Sequence, residues 1–421
     1  MLYLHLYRFI SLLLYPIWLL LLKKRIKKGK EDEGRYLEKL AVILARRPKG
    51  NLIWFHAVSV GEINIIISLI KLYHKKFPAD NFLITTTTVT SAEVFEKAKM
   101  PNSIHQYLPI DVPFIVEKFF KHWRPNLSIF TESEIWPNLL LTAKKHSPVL
   151  LINGRLSEQS FSKWKNIKSL MISLLKVYDL VLPGTSVDLK RFSFFCQDNI
   201  HYLGNLKNAA PPMPYNSSLL KKLKGSIGNR KVVVYASTHR GEEEIIVNVH
   251  EQLKQHYKDL LTIIVPRHID RTAEILRMTA RHKLNVSLYT DNNHIINSKD
   301  EIYIGNVVGV LGTFYRLAEI AFVGGSLVER GGHNILEPGK LGLAVLVGPH
   351  TFNFTEIVQG FLKEEAVIIA SNQKELYERI KSLFNDNEYL KKVQKNALKV
   401  SKSQDEVMNL YIETINKFLI A

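Results

Sequence analysis

Short apolar runs alternate with segments of helical periodicity along most of the chain. In the first half, the runs that predict strands are Leu52–Ala57, Phe82–Thr87, Leu127–Thr131, Val149–Asn153 and Leu180–Pro183. A second set follows, made of Lys231–Ala236, Leu261–Val265, Glu301–Ile304, Ile320–Val323, Ala344–Val347 and Val367–Ile369. Segments between the runs, such as Ile65–Phe77, carry apolar residues at helical spacing. This alternation predicts an α/β protein with two doubly wound parallel sheets.

The two sets of strands are separated by a segment with the composition of a linker. Residues 208–230 contain Pro-Pro-Met-Pro and Gly-Ser-Ile-Gly. A chain of 421 residues is long enough for about two domains. We therefore predict Rossmann-like domains over residues 51–207 and 231–421, facing a ligand cleft, with a helix over Tyr389–Leu419. In such sheets ligands bind at the carboxyl ends of the strands.

The N-terminus predicts a membrane segment. Residues 1–22 are almost entirely apolar and are followed by Lys-Lys-Arg-Ile-Lys-Lys, and a span needs about 20 apolar residues. We expect a membrane-anchor helix over 1–22, outside both sheet domains, and a basic membrane-proximal segment over 23–50. Because the positive charge follows the apolar run, a signal anchor with the body in the cytoplasm is favoured over a cleaved signal peptide. The alternative is a helix lying in the interface, favoured by three residues of the run: His5, Arg8 and Pro16.

The charge balance indicates an anionic partner. The chain has 57 Lys and Arg against 39 Asp and Glu, a net charge of +18. Residues 1–49 hold 12 of the basic and 4 of the acidic residues, which is +8 of that total. Nucleic acid, acidic lipid and a phosphorylated substrate all fit such an excess. The single cysteine, Cys196, excludes an internal disulfide and a zinc site built on cysteines.

A candidate general base follows the first predicted strand. The segment His56–Glu62 (HAVSVGE) leads into a helix that Glu62 opens. A helix N-terminus favours a carboxylate, which can act as a base. The alternative is a first-turn Glu that only stabilises the helix terminus.

Other charged residues of the first half stand at a strand end and at the predicted domain boundary. Glu132 and Glu134 follow the strand 127–131, and in an extended chain they would point to the same side. Lys207, in the segment Gly-Asn-Leu-Lys, is placed to reach a phosphate or a developing negative charge. The alternatives are a solvated loop and a surface lysine.

Two strand ends of the second half carry the residue types of an anion site. Ala236–Glu244 (ASTHRGEEE) places hydroxyls, a histidine and a glycine before a helix. Val265–His268 (VPRH) includes Arg267, whose guanidinium suits carboxylate or phosphate. Ordinary polar turns are the alternative for both.

The densest motif is Ser326–Pro338 (SLVERGGHNILEP), directly after the apolar run 320–325. Asn334 is expected to cap a helix that begins near Ile335. Free backbone N–H groups at that helix terminus, behind two glycine pairs, would bind a phosphate. Glu337 in the first turn would accept hydrogen bonds from ribose hydroxyls. The sequence contains no Walker loop, HExxH, serine hydrolase elbow or DxD pair.

Taken in order, these motifs closely resemble one family. The segments HAVSVGE, TESEIWPN, INGRLS, GNLK, STHRGEEE, VPRH, FVGGSLVERGGHNILEP and GPHTFNF resemble the 3-deoxy-D-manno-octulosonic acid (Kdo) transferases of Gram-negative bacteria. The resemblance runs from the membrane segment to the last helix. It implies a GT-B fold, no metal or other cofactor, and transfer of Kdo with inversion from CMP-Kdo to a phosphorylated lipid A precursor (lipid IVA). It also implies a place in lipopolysaccharide core biosynthesis at the cytoplasmic face of the inner membrane.

The resemblance also implies roles for individual residues. Glu62 matches the general base, and Glu132 and Lys207 match positions that stabilise the transition state. The CMP-binding segments are matched by Pro266, Arg267, Val308, Gly309, Val310, Asn334, Ile335, Leu336 and Glu337. The family often has Met-Gly-Glu at 308–310, so the contact of an acid at position 310 is lost here, while backbone contacts to the base are still expected.

The alternative function is that of another GT-B glycosyltransferase acting on a lipid-linked sugar, and a GT-B epimerase is more distant. A nucleic-acid binder would explain the net charge of +18. It would not explain two alternating domains with polar clusters at strand ends, and the chain has no interleaved aromatic and basic residues for stacking on bases.

Overall fold

The computed structural model describes residues 2–209, 212–290 and 295–420. It divides into two compact units: Met1–Ala210 together with Asp405–Ala421, and Pro211–Gln404. The strands are β1 (Leu52–His56), β2 (Asn81–Thr86), β3 (Ser103–Tyr107), β4 (Leu127–Thr131), β5 (Val149–Gly154), β6 (Leu180–Pro183), β7 (Val232–Thr238), β8 (Leu261–Pro266), β9 (Val286–Tyr289), β10 (Ile302–Gly305), β11 (Ile320–Val323), β12 (Ala344–Val347) and β13 (Val367–Ile369).

Helices occupy most of the chain between the strands. They are α1 (Leu2–Leu13), α2 (Tyr15–Lys27), α3 (Val60–Lys76), α4 (Val89–Lys97), α5 (Pro113–Trp123), α6 (Pro137–His146), α7 (Glu158–Lys165), α8 (Lys168–Leu175), α9 (Ser186–Ser193), α10 (Ser217–Ile227), α11 (Glu242–Lys254), α12 (Thr272–Arg281), α13 (Leu311–Tyr315), α14 (Leu336–Gly339), α15 (Thr355–Lys363), α16 (Gln373–Asn385) and α17 (Asn387–Ile420). Several begin behind a side chain that accepts a hydrogen bond from the first turn, namely Ser59, Thr88, Ser157, Thr185, Asn216 and Asn372.

Each unit is built on one parallel sheet. The strand order is β3-β2-β1-β4-β5-β6 in the first unit and β13-β12-β11-β7-β8-β10-β9 in the second. In the first sheet, alternate residues of β1 enter two different apolar clusters. Trp54 packs with Phe119 and Phe130, whereas Phe55 shares its cluster with Tyr73. The predicted α/β class with two doubly wound sheets is therefore confirmed.

Two strands carry no continuous apolar run and were not predicted. Strands β3 and β9 each lie at one edge of their sheet. Their residues are largely half-buried, as in the pattern of Ser103, Ile104 and His105. An edge strand is covered less fully than a central one, so its sequence does not need to be apolar throughout.

The apolar N-terminus differs from the single anchor helix that was predicted. It forms two helices, with the segments Leu6–Leu13 and Tyr15–Lys27 bent by 56° at their break. Among the described residues no single helix is long and apolar enough to cross a membrane, whereas this bent pair meets the requirement by length and composition.

This N-terminal segment was expected to lie outside both sheet domains. In the structure it is part of the first unit. The Tyr7 hydroxyl donates to Asp111 Oδ2 at 2.9 Å, and Asn138 Nδ2 donates to Ser11 Oγ at 3.0 Å. Leu22 is buried. Helix α1 therefore shares polar contacts with α6 and with the loop before α5.

The C-terminal boundary of the second domain also differs from the prediction of 231–421. Residues 405–421 belong to the first unit. Along this part of α17, Val407, Tyr411 and Ile415 are buried in the cluster that contains Phe55. The Tyr411 hydroxyl donates to the carbonyl oxygen of Gly204 at 3.1 Å. The boundary differs because the end of the last helix packs against residues far away in sequence. The helical periodicity of α17 alone does not indicate which unit it packs against.

Candidate active site

The carboxylate of Glu62 is buried and fully engaged at the carboxyl end of β1. Ser59 caps α3, and the two residues form a reciprocal capping box. Oε1 accepts from the Ser59 N–H at 3.2 Å and from the Ser59 hydroxyl at 2.7 Å. Oε2 accepts from the Val58 N–H at 3.0 Å and from the Thr131 hydroxyl at 2.8 Å. The side chain is thus held in one orientation by two loop N–H groups and two hydroxyls.

Thr131 connects this carboxylate to the neighbouring strand. Its Oγ1 lies 2.8 Å from Glu62 Oε2 and 2.9 Å from the carbonyl oxygen of His56. Thr131 is the last residue of β4, which pairs directly with β1. It was not singled out from the sequence, because only the parallel pairing of β1 and β4 brings it to Glu62.

The structure brings Glu132 and Lys207 together. Lys207 Nζ lies 2.5 Å from Glu132 Oε1, and Arg155 Nη1 lies 4.0 Å from Glu132 Oε2. Glu132 has a φ of 54°, in the left-handed region that residues other than glycine rarely adopt. Such strain concentrates at functional sites and persists only where surrounding contacts impose it.

The turn that carries Lys207 is held by Asn153, at the carboxyl end of β5. Asn153 Oδ1 accepts from the Leu206 N–H at 3.2 Å. Asn153 also has a positive φ, of 50°. A Cβ on Gly204 would meet Val407 at 2.9 Å, so α17 leaves room only for glycine in this turn. Asn153, in the INGRLS motif, therefore positions the lysine of the GNLK motif.

Glu134 does not share the surroundings of Glu132. Because the backbone at Glu132 is left-handed, the prediction that the two carboxylates point to the same side of an extended chain is wrong. Glu134 Oε2 accepts from Trp136 Nε1 at 2.6 Å and lies 3.5 Å from His56 Nε2. Burial opposes ionisation of Glu134, but its contacts with His56 and Trp136 outweigh burial and lower the pKa of this carboxyl.

In the second unit, a buried carboxylate fills the glycine turn after β11. Glu242, in the first turn of α11, accepts from the backbone N–H groups of His239, Gly325, Ser326 and Leu327 at 2.7–3.1 Å. Burial raises the pKa of Glu242 despite these four hydrogen bonds. The STHRGEEE and FVGGS motifs are thus joined by a protein carboxylate, which occupies N–H groups that an anion could otherwise use.

The motifs SLVERGGHN and GPHTFNF fold against each other. The Asn353 N–H donates to the carbonyl oxygen of Gly331 at 3.1 Å, and Asn353 Nδ2 donates to that of Arg330 at 2.9 Å. Gly331 has a φ of 86°, and a Cβ there would lie 2.4 Å from Asn353. The close approach explains why both motifs contain small or amide residues at these positions.

A cluster of histidines stands where β7, β8 and β11 end. The rings of His239 and His333 stack, with their planes 5° apart and their Nε2 atoms 2.9 Å apart. His268 packs edge-on against His239. Burial lowers the pKa of His333 to about 4, with further contributions from His239, Arg267 and His268. His333 is therefore neutral at pH 7.

The predicted nucleotide-binding residues lie on three loops of this unit. Pro266 ends β8, and the N–H of the exposed Arg267 donates to the carbonyl oxygen of Thr238 at 3.0 Å. Val308 is 81% exposed, and Gly309 has a φ of 91° with open space around its Cα. Val310 is the residue before α13.

The third loop carries Asn334, Ile335, Leu336 and Glu337. Asn334 Oδ1 accepts from the Leu336 N–H at 3.1 Å, and α14 begins at Leu336, one residue later than predicted. Burial raises the pKa of Glu337, and its contact with Asn334 opposes that rise. Helix α14 has only 4 residues. Few peptide dipoles therefore add up at its N-terminus, where the phosphate site was predicted.

Among the residues that the structure describes, no group of His, Cys, Asp and Glu could hold a metal ion.

Comparison with known proteins identifies the family. A family model described as 3-deoxy-D-manno-octulosonic-acid transferase (kdotransferase) matches residues 34–210. A 3-deoxy-D-manno-octulosonic acid transferase from Rickettsia bellii is 35% identical over 98% of this chain and 99% of its own length. A protein of the same name from Haemophilus influenzae is 31% identical over 81% of this chain and 80% of its own.

The fold is similar to that of a solved glycosyltransferase from Rickettsia africae, with a TM-score of 0.58 and 14% identity over 88% of this chain and 99% of that one. The two sheets and this likeness show a fold of the GT-B type. The chain belongs to the Kdo transferase family, which confirms the resemblance and the enzyme class that the motifs indicated.

The depressed pKa of His333 predicts a pH-dependent stability of the second unit. Between the pKa of about 4 in the folded state and the ordinary value of 6.5, the unfolded chain binds more protons. Stability should therefore rise as the pH rises from 4 to 6.5. Urea unfolding of His333→Gln should show a weaker pH dependence in this window than the unsubstituted protein. The exposed His201, changed to Gln, is the control. An unchanged slope in His333→Gln would show that His333 is not held neutral by its surroundings.

Proposed function

We propose that the protein transfers Kdo with inversion from CMP-Kdo to a phosphorylated lipid A precursor, lipid IVA, at the cytoplasmic face of the inner membrane. This transfer would belong to lipopolysaccharide core biosynthesis. Membership of the Kdo transferase family supports the donor sugar and the enzyme class. The observation that carries the proposal is the buried Glu62 carboxylate, which is oriented by four donors and adjoins, through Thr131, the Glu132–Lys207 pair.

In the proposed reaction, Glu62 accepts the proton of an acceptor hydroxyl. The hydroxyl oxygen attacks the anomeric carbon of Kdo from the face opposite the phosphate, and CMP leaves with the electrons of the broken carbon–oxygen bond. The two hydroxyls on Glu62, from Ser59 and Thr131, can turn away from the carboxylate, whereas the two backbone N–H groups cannot. An acceptor hydroxyl can therefore replace one side-chain hydroxyl while the backbone keeps the carboxylate in place.

Lys207 is proposed to stabilise the negative charge that develops during transfer. Its ammonium is paired with Glu132, whose position depends on the left-handed backbone after β4. A preorganised charge of this kind contributes to catalysis because it does not have to reorient during the reaction. Glu132 then acts by positioning Lys207, whereas the resemblance implies transition-state stabilisation for both residues.

Replacement of Glu62 by Gln should abolish most turnover and leave the fold intact. Gln still completes a capping box with Ser59 but cannot accept the proton. Loss of a general base typically costs about 10²–10⁴ in rate. Ser59→Ala is the matched control, because it removes the cap and keeps the carboxylate; it should lose far less turnover. Transfer of Kdo from CMP-Kdo to dispersed acceptor is the measurement, and near-normal turnover of Glu62→Gln would exclude this residue as the base.

The donor nucleotide is proposed to bind through the loops at 266–267, 308–310 and 334–337. The guanidinium of the exposed Arg267 supports an anion there. Calorimetry should show weaker CMP binding in Arg267→Ala and Asn334→Ala, by about 1.5–3 kcal/mol for a lost charge-assisted hydrogen bond. Arg240→Ala is the control, because the Arg240 guanidinium instead pairs with Glu274 at 2.8 and 3.0 Å. If Arg267→Ala and Asn334→Ala bound CMP as tightly as Arg240→Ala does, the nucleotide site would lie elsewhere.

Attachment to the membrane is proposed to use the outward faces of α1 and α2 and the basic segment 23–50. Phe9, Leu13 and Leu20 are each at least 60% exposed. Lys and Arg near an anionic surface add about 1 kcal/mol each. Binding of the protein to anionic vesicles should persist in high salt. A triple variant with Ser at these three positions should bind only at low salt, because only the screened charges remain. Salt-resistant binding by the variant would contradict this attachment.

A further inference from the structure

A cavity of about 550 Å³ lies in the first unit, where α2 covers loops at the carboxyl end of the sheet. Its volume is within the range of about 300–1,000 Å³ that is usual for small-molecule sites. Six apolar side chains contribute to its lining: Trp18, Leu21, Leu22, Val58, Ile110 and Trp136. The first three come from α2, so the apolar N-terminal segment forms one wall.

Three of the four charged residues of the lining, Arg25, Lys39 and Glu31, are paired with each other. Arg25 Nε lies 2.5 Å from Glu31 Oε1, and Lys39 forms an ion pair with the other oxygen of the same carboxylate. Glu134 accepts from Trp136 Nε1 at 2.6 Å. The two cations and two carboxylates of the lining sum to zero, and the rest of the surface offered to a ligand is mostly hydrocarbon and indole.

The cavity adjoins the loop that holds the proposed base, Glu62. Val58 lines it, and the N–H of Val58 donates to Glu62 Oε2 at 3.0 Å. A molecule that fills the cavity therefore lies beside the loop that orients the carboxylate. Helix α2 also exposes apolar side chains to the outside, with Ile17 51% exposed and Leu20 67% exposed. One helix thus offers apolar side chains both to a lipid surface and to the cavity.

We infer that this cavity binds a fatty acyl chain of the glycolipid acceptor and so fixes the acceptor's sugar hydroxyl near Glu62. The inference rests on the proposed function for the identity of the acceptor. An acyl chain is the part of a phosphorylated glycolipid that matches a charge-neutral, apolar cavity, and burial of its methylenes supplies the binding energy. The phosphates of the same molecule have no unpaired cation in the lining described here.

The test compares two acceptors, the acylated lipid dispersed in detergent and its phosphorylated sugar headgroup without acyl chains. Leu21→Ser and Trp18→Ala each remove apolar wall from the cavity. Each should raise KM for the acylated acceptor roughly tenfold, the effect of losing part of one side chain's apolar contact. KM for the deacylated headgroup should not change. Leu410→Ser is the control, because Leu410 is as exposed as Leu21, at 44% and 46%, and lies on α17 away from the cavity lining.

Binding of both acceptors without donor, measured by calorimetry, separates this inference from the proposed reaction. Tighter binding of the acylated lipid that is lost in Leu21→Ser supports the cavity even if no Kdo is transferred. Equal losses for the two acceptors, or no loss for either, would overturn it. Absence of transfer by the unsubstituted protein would refute the proposed function and leave the binding comparison decisive.

Discussion

The hydrogen bonds of the Glu62 carboxylate hold together the candidate active site of the first unit. They connect the loop after β1, the first turn of α3 and the last residue of β4. A buried carboxylate without such donors would cost several kcal/mol. The structural role as a cap and the proposed role as a base are therefore compatible, because the cap is what keeps the carboxylate oriented.

The second unit also has a buried, hydrogen-bonded carboxylate at the start of a helix, but its donors are of a different kind. Glu242 also stands in the first turn of the helix after the first strand of its sheet, and it also accepts hydrogen bonds from the loop before it. The four donors to Glu242 named above are all backbone N–H groups, whereas two of the donors to Glu62 are hydroxyls. Backbone donors cannot turn away to admit a substrate. Glu242 thus joins two motifs of the second unit, whereas Glu62, the proposed base, has two hydroxyl partners that a substrate could replace.

Much of this fold could be predicted from the sequence, because central strands of a parallel sheet are buried on both faces and so form apolar runs. The edge strands β3 and β9 lack that burial and lack the run. The break after Leu13 was missed because the apolar run continues across it, although Pro16 stands in the first turn of α2. The return of α17 to the first unit depends on contacts with Gly204 and other residues far away in sequence.

The same distinction applies to the site. Glu62 and Glu132 became candidates because each follows a strand of the parallel sheet, and Lys207 because it stands at the predicted domain boundary; the resemblance implied their roles. Thr131 and Asn153 lie within the motifs TESEIWPN and INGRLS, but their partners are 69 and 53 residues away, so the sequence did not reveal what they contact. The left-handed backbone at Glu132 likewise depends on tertiary contacts and not on local propensity.

The most direct test of the account is the structure of the lipid product made by the purified protein from CMP-Kdo and the acylated acceptor. Mass spectrometry should show the addition of Kdo, with CMP released in equal amount, and nuclear magnetic resonance should show the anomeric configuration inverted relative to the donor. A product with retained configuration, or transfer of a different sugar in preference to Kdo, would contradict the role assigned to Glu62 and the reaction built on it.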